Sequence, residues 1–132
     1  MNSVQPHPHF DDRGTLSWHR SFEEAKAEAR ATGRMIFIEL GRELCSQCRS
    51  FVQGVVPRPD VGPILKRHFV ALAADADECE PEVLELAAQL EDAEMLPFVL
   101  FTDSDGGFLA GSSGVVEPKQ FVQTLQRLGA GT

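Results

Sequence analysis

The chain is poor in three things, and each shortage closes a route. No apolar run approaches the roughly 18 residues that a membrane-spanning helix needs, so no membrane association is expected. Basic residues are few: 12 Lys and Arg stand against 20 Asp and Glu, for a formal charge of -8. They are also scattered, whereas a nucleic-acid binder needs a clustered basic footprint for the phosphates. No nucleic acid is therefore expected as a partner. Cysteine is scarce and odd in number: three cannot all pair within one chain. A disulfide scaffold is accordingly a poor reading, and a redox or metal site is a better one. The first residues, Met1 to His7, have neither a positive head nor an apolar stretch, so no signal segment is read there. The expected compartment is the cytoplasm, or the periplasm if a signal peptide has been removed.

What remains is an ordinary globular composition, with 42% apolar and 24% charged residues among 132. A chain of that length buries a real core without staples and is read as one domain. Residues 1–14 carry Pro6, Pro8, Gly14 and polar side chains and read as a flexible lead-in; residues 15–132 form the domain. Thr15 to Trp18 suits a short strand or a docking segment, with Trp18 packing the leading segment on the core. Ser21 and Glu24 fit a capping box at the start of a helix that Gly33 stops. Met35 to Leu40 is apolar on both alternating faces except at Glu39, which suits a central strand covered on two sides. Cys48, Phe51, Val52 and Val55 recur at helical spacing, and Pro57 and Pro59 end that helix. Asp60 is placed to cap another short helix, with Pro63 in its first turn.

Phe69 to Ala73 is a second buried strand, followed by an acidic loop and an amphipathic helix marked by Val83, Leu86, Ala87 and Leu90. Phe98 to Phe101 is a third strand. Asp103-Ser104-Asp105-Gly106-Gly107 turns it into a hairpin with Phe108 to Ala110. Glu117-Pro118 opens a last helix. Alternating elements followed by a hairpin imply an α/β fold with a mixed sheet and helices on both faces. There are no internal repeats and no low-complexity tracts.

Chemistry concentrates at Cys45-Ser46-Gln47-Cys48, between the strand Met35–Leu40 and the following helix. A thiol at a helix start meets unpaired backbone N–H groups and the positive end of the dipole, which favour its thiolate. Thiolate is the attacking form. Cys45 is thus the expected nucleophile. Cys48, one turn later, is the expected resolving thiol, breaking a mixed disulfide on Cys45. A zinc site would need two more ligands. His7, His9, His19, His68 and Cys79 are the soft candidates, and none forms a second close pair. Cys79 lies in the acidic loop, where nearby carboxylates disfavour its thiolate, and it is read as incidental.

With these residues in place the chain resembles the thioredoxin-like family, from about Trp18 to Leu128. It is similar to members with a leading helix, such as the C-terminal domain of the periplasmic disulfide interchange protein. The resemblance rests on Ile36-Phe37-Ile38-Glu39-Leu40, the Cys45/Cys48 pair and Arg58-Pro59-Asp60-Val61. It continues through Asp75-Ala76-Asp77, Leu96-Pro97-Phe98, Asp105-Gly106-Gly107 and the closing helix. It implies a thioredoxin-like fold: a central mixed sheet of four or five strands, helices on both faces and an extra N-terminal helix. It also implies a cis proline at Pro97 facing the dithiol and helping to hold an extended substrate segment. Leu96 before it would present backbone to that substrate. Glu39 would be the buried acid. A buried carboxylate is costly unless it is paired, hydrated or useful. Burial disfavours its charged form and equips it to exchange a proton with Cys48. The alternatives are a trans proline at a strand entrance, and a Glu39 that reaches water from the strand's end.

The chain departs from the family where specificity is set. Leu44 stands where a tryptophan is usual, Ser46-Gln47 replaces Gly-Pro, and the buried acid is a glutamate rather than an aspartate. The residues between the cysteines tune thiolate stability and potential. The expected function is thiol–disulfide exchange with protein substrates, in the reducing direction. Leu44, Ser46, Gln47, Leu96 and Pro97 would contact substrate, and a reductase or another dithiol protein would donate electrons. No cofactor or metal is required, and a monomer is expected. Two other readings are a non-catalytic partner-binding module that kept the fold and a metal carrier using the same dithiol.

Overall fold

In the computed structural model, residues 5–91 and 94–129 are described. Among these residues five strands form one sheet: β1 Trp18–His19, β2 Met35–Gly41, β3 Phe69–Asp75, β4 Phe98–Thr102 and β5 Phe108–Ser113. Their order is β1-β3-β2-β4-β5. The first three strands pair in parallel, while β4 runs antiparallel to both β2 and β5. Among the described residues five α-helices flank the sheet: α1 Phe22–Thr32, α2 Ser46–Ser50, α3 Gly62–His68, α4 Pro81–Ala87 and α5 Pro118–Arg127. This is the mixed, helix-flanked sheet of the thioredoxin-like fold, with α1 as the leading helix.

Strand β2 is central, and its alternation divides the core. Successive side chains of a strand point to opposite faces. Ile36, Ile38 and Leu40 join Phe22, Ala25 and Ala29 of α1 and Val83 and Leu86 of α4. Phe37 points the other way, into a cluster with Phe51, Phe101, Phe121 and Trp18. Phe37 lies 5.8 Å from Phe101 and 5.9 Å from Phe51, ring centre to ring centre. Each such buried aromatic contributes on the order of 1.5–3 kcal/mol by leaving water. Glu39 and Gly41 continue the Phe37 face, so the acid enters the same layer as Cys48.

The local signals hold at the start of α1. Ser21 accepts from the Glu24 N–H at 3.4 Å, and Gly33 closes the helix in the left-handed region at φ 71. Two expectations differ. The helix after the dithiol is α-helical only to Ser50 and continues as a π-helical segment, Phe51–Val55, where the Val56 N–H reaches the Phe51 carbonyl at 3.0 Å. Its inward positions Phe51, Val52 and Val55 remain buried. Asp60 does not cap α3. Val61 holds that position without a side-chain bond, because the Asp60 carboxylate turns to Arg58 Nε at 2.9 Å.

The expected flexible lead-in, residues 1–14, also differs over its described part. His7, Phe10 and Asp12 are buried. Asp12 is the reason: its carboxylate accepts from the Leu16 N–H and from Trp18 Nε1, each at 2.9 Å. The segment is thereby fastened to the buried indole. Residues 1–4 lie outside the described residues.

Candidate active site

Cys45 is the N-cap of α2. Its backbone is extended, and its sulfur accepts a hydrogen bond from the Cys48 N–H at 3.2 Å. An N-cap acceptor satisfies one of the orphan donors at a helix start, and a thiolate does so more strongly than a thiol. Cys45 and Cys48 are joined as a disulfide, with Cα atoms 5.3 Å apart. Cys45 is half-buried and Cys48 fully buried, so only the first sulfur is open to a large partner.

Behind the pair stands Glu39, 1% exposed. Its Oε1 lies 2.7 Å from His7 Nε2. Its Oε2 has no hydrogen-bond partner among the described residues. A buried oxygen left in that state costs about 1–3 kcal/mol, so a use for it is worth seeking. Its neighbourhood supplies one. The space that a β-carbon would take on Gly41 is bordered by Glu39 Oε2 and, at 2.7 Å, by Cys48 Sγ. The free oxygen and the inner sulfur therefore share one small space that only a glycine leaves open. Glu39 does not reach water from the strand's end.

The Leu96–Pro97 peptide bond is cis, Pro97 is buried and Leu96 is half-buried. The carbonyls of Met95 and Pro97 both accept from the Gly114 N–H, at 2.7 and 3.1 Å. That bond sets the proline loop beside Val115 and Val116. These two valines face Ser46, Gln47, Ser50 and Phe51 across a cleft of about 140 Å³. Cys45 and Leu96 pack on the same core cluster as Cys48. Leu44 projects outward, 90% exposed, and Val115 is 73% exposed. Gly114 thus links the proline loop to Val115 and Val116, which share the cleft with Ser46 and Gln47 of the dithiol segment, and Leu44 stands exposed next to Cys45.

Sequence reasoning misses four residues of this neighbourhood. His7 was assigned to the lead-in, and no local signal links it to a glutamate on a central strand. Gly41 had a readable signal: a glycine ending a buried strand, on the face of the acid. Val115 and Val116 follow the hairpin and carried no motif. Cys79 is half-buried and remote in sequence from the pair; burial first, then the charges of Glu80 and Asp75, push its thiol up. Among the described residues no group of three or more His, Cys, Asp or Glu side chains is placed to hold a metal ion. Also among the described residues, no helix is long and apolar enough to cross a membrane.

A capped outer cysteine bonded to a buried inner one, at the junction of a central strand and a helix, defines a thioredoxin-fold dithiol site. The thioredoxin-like family model matches residues 17–104, and the chain belongs to that family. Among curated proteins none matches the chain. Solved structures show the same architecture. A thioredoxin from Thermus thermophilus is 26% identical, with a TM-score of 0.67 and 85% of each chain covered. A putative disulphide-isomerase from Bacteroides thetaiotaomicron is 22% identical, with a TM-score of 0.68 and 98% of each chain covered. The DsbD C-terminal domain of Neisseria meningitidis, in its oxidised form, is 17% identical with a TM-score of 0.58. It covers 80% of this chain and 90% of its own. At the latter two identities the likeness is one of fold.

Proposed function

We propose that the chain is a thiol–disulfide oxidoreductase that reduces protein disulfides through Cys45 and Cys48. The observation that carries this reading is the asymmetry of the pair: Cys45 accessible and capped, Cys48 buried beside the free oxygen of Glu39. In the reduced protein the Cys45 thiolate attacks one sulfur of a substrate disulfide. A Cys45–substrate disulfide forms, and the other substrate sulfur leaves as a thiolate. Cys48 then gives its proton to Glu39 Oε2 and its electron pair to Cys45 Sγ. The mixed disulfide breaks, the second substrate sulfur leaves with that bond's electron pair, and the protein is left oxidised. Two electrons have passed from the protein to the substrate. A reductase or another dithiol protein returns them.

Leu44, Ser46, Gln47, Leu96 and Pro97 form the substrate-contact surface, extended by Val115 and Val116. The cleft between the valines and α2 is apolar enough to take a side chain flanking the substrate cysteine. Leu44, in place of a broad aromatic ring, narrows the range of partners. No organic cofactor takes part in this cycle.

The test is insulin-disulfide reduction with dithiothreitol as electron source, comparing the wild type with Cys45→Ser and Cys48→Ser. Cys45→Ser is expected to abolish turnover. Cys48→Ser is expected to stall as a mixed disulfide on Cys45 that mass spectrometry detects. Turnover unchanged by either substitution would remove the proposal.

A further inference from the structure

Two backbone N–H groups, those of His9 and Phe10, point at His7 Nδ1 from 3.1 and 3.2 Å. A ring nitrogen that accepts from two donors carries no proton. The proton of the neutral imidazole is therefore on Nε2, and it is donated to Glu39 Oε1 at 2.7 Å. Both side chains are only 2% exposed. The ring is held from its sides as well: Phe10 stacks on it at 5.3 Å and Trp18 meets it edge-on at 4.8 Å. Such packing leaves the imidazole one orientation and one tautomer.

We propose that His7 is a positioning residue of the dithiol site. It is a fixed neutral donor that pins Glu39 Oε1 and so aims Oε2 into the space shared with Cys48. This deepens the oxidoreductase reading and rests on it. When Cys48 surrenders its proton to Oε2 and attacks Cys45, Glu39 passes from carboxylate to carboxyl. The bond from Nε2 to Oε1 persists through that change. His7 takes no proton itself, since Nε2 already holds one and Nδ1 is committed to the backbone. Other ionisable groups stand close. Cys48 borders the space at Gly41 together with Glu39 Oε2. His9, whose Nε2 is 3.9 Å from Asp75 Oδ2, meets the His7 ring edge-on at 6.0 Å, and Asp12 is already bonded to Trp18. Arg20 and Glu78 line the cavity that His7 and His9 border. The N-terminal segment is thus a working part of the site.

The experiment reads the resolving step directly. In a Cys79→Ser background, the reduced protein is mixed with dithionitrobenzoate. Cys45 displaces one thionitrobenzoate in a bimolecular phase, and Cys48 displaces the second in a unimolecular phase. His7→Phe keeps a ring for Phe10 and Trp18 but has no donor. It should leave the first phase unchanged and slow the second about tenfold, a fraction of what a positioned base contributes. His7→Gln, whose amide N–H falls where Nε2 lay, should recover most of the lost rate. Nitrogen-15 NMR of the wild type should show the Nε2–H tautomer in both redox states.

A second phase in His7→Phe as fast as wild type overturns the proposal. So does a folded His7→Gln as slow as His7→Phe, or an Nδ1–H tautomer, which needs no variant to fold. A wild type that releases only one thionitrobenzoate overturns the dithiol reading itself, and His7's role with it. A wild type that resolves normally beside an equally fast His7→Phe overturns His7 alone.

Discussion

Gly41 and Cys48 approach so closely that a β-carbon on the glycine would stand 2.7 Å from the cysteine's sulfur and 3.3 Å from its Cβ. The same β-carbon would overlap Glu39 Oε2. Gly41 ends β2 on the face that carries Phe37 and Glu39, so strand alternation alone brings the three groups together. Gly41→Ala is expected to push the acid and the sulfur apart. Overpacking of this kind costs about 1–3 kcal/mol, readable in a urea melt. Insulin turnover should fall with it, with Cys48 more affected than the outward Cys45. An alanine variant with wild-type stability and turnover would show that the space is not needed.

Asp12 anchors the segment that delivers His7. Its carboxylate satisfies the Trp18 indole and the Leu16 N–H, and it also accepts from the Gly14 N–H at 3.1 Å. Asp12→Ala leaves buried donors unpaired at about 1–3 kcal/mol each. A thermal melt should show a loss of several degrees, on the order of 2–6 °C per kcal/mol for a chain of this size. Trp18 emission should move to the red as water reaches the ring. An unchanged melt and spectrum would contradict the anchoring role.

Cys79 gives a pH prediction whose sign follows from its surroundings. Burial first, then the charges of Glu80 and Asp75, raise its thiol above the ordinary value. In the unfolded chain the thiol loses its proton near pH 8.5, whereas in the folded protein it keeps it to higher pH. The contribution to stability is therefore complete below the unfolded value and is lost as pH rises through the folded one. Cys79→Ser should lose less stability than wild type between about pH 8 and 10. Iodoacetamide should modify Cys79 more slowly in the folded protein than in urea at the same pH. Equal rates in the two states would contradict the account.

The parts legible in the sequence are those fixed by local periodicity. Ile36 to Leu40 announced a strand buried on both faces, and Cys48, Phe51, Val52 and Val55 announced the inward side of the helix after it. Glu39 stood out because a lone acid in such a strand needs a reason. Three things were not legible. Asp60 looked like a cap because the type fits the position, but Arg58 two residues away competed for its carboxylate. The π-helical turn at Phe51–Val55 leaves the inward pattern intact, so the side chains do not announce it. The packing of residues 5–14 depends on a Trp18–Asp12 hydrogen bond and a His7–Glu39 contact, the latter 32 positions apart in the chain. A stretch rich in Pro, Asp and His looks mobile until those partners are known.

The proposed function requires Cys45 and Cys48 to form and break their bond reversibly. Equilibration in a series of glutathione redox buffers, followed by acid quench and alkylation, counts thiols at each potential. One two-electron transition is expected, in which Cys45 and Cys48 change together while Cys79 stays a thiol throughout. A pair that is never oxidised across the series, never reduced, or changes one cysteine at a time would contradict it.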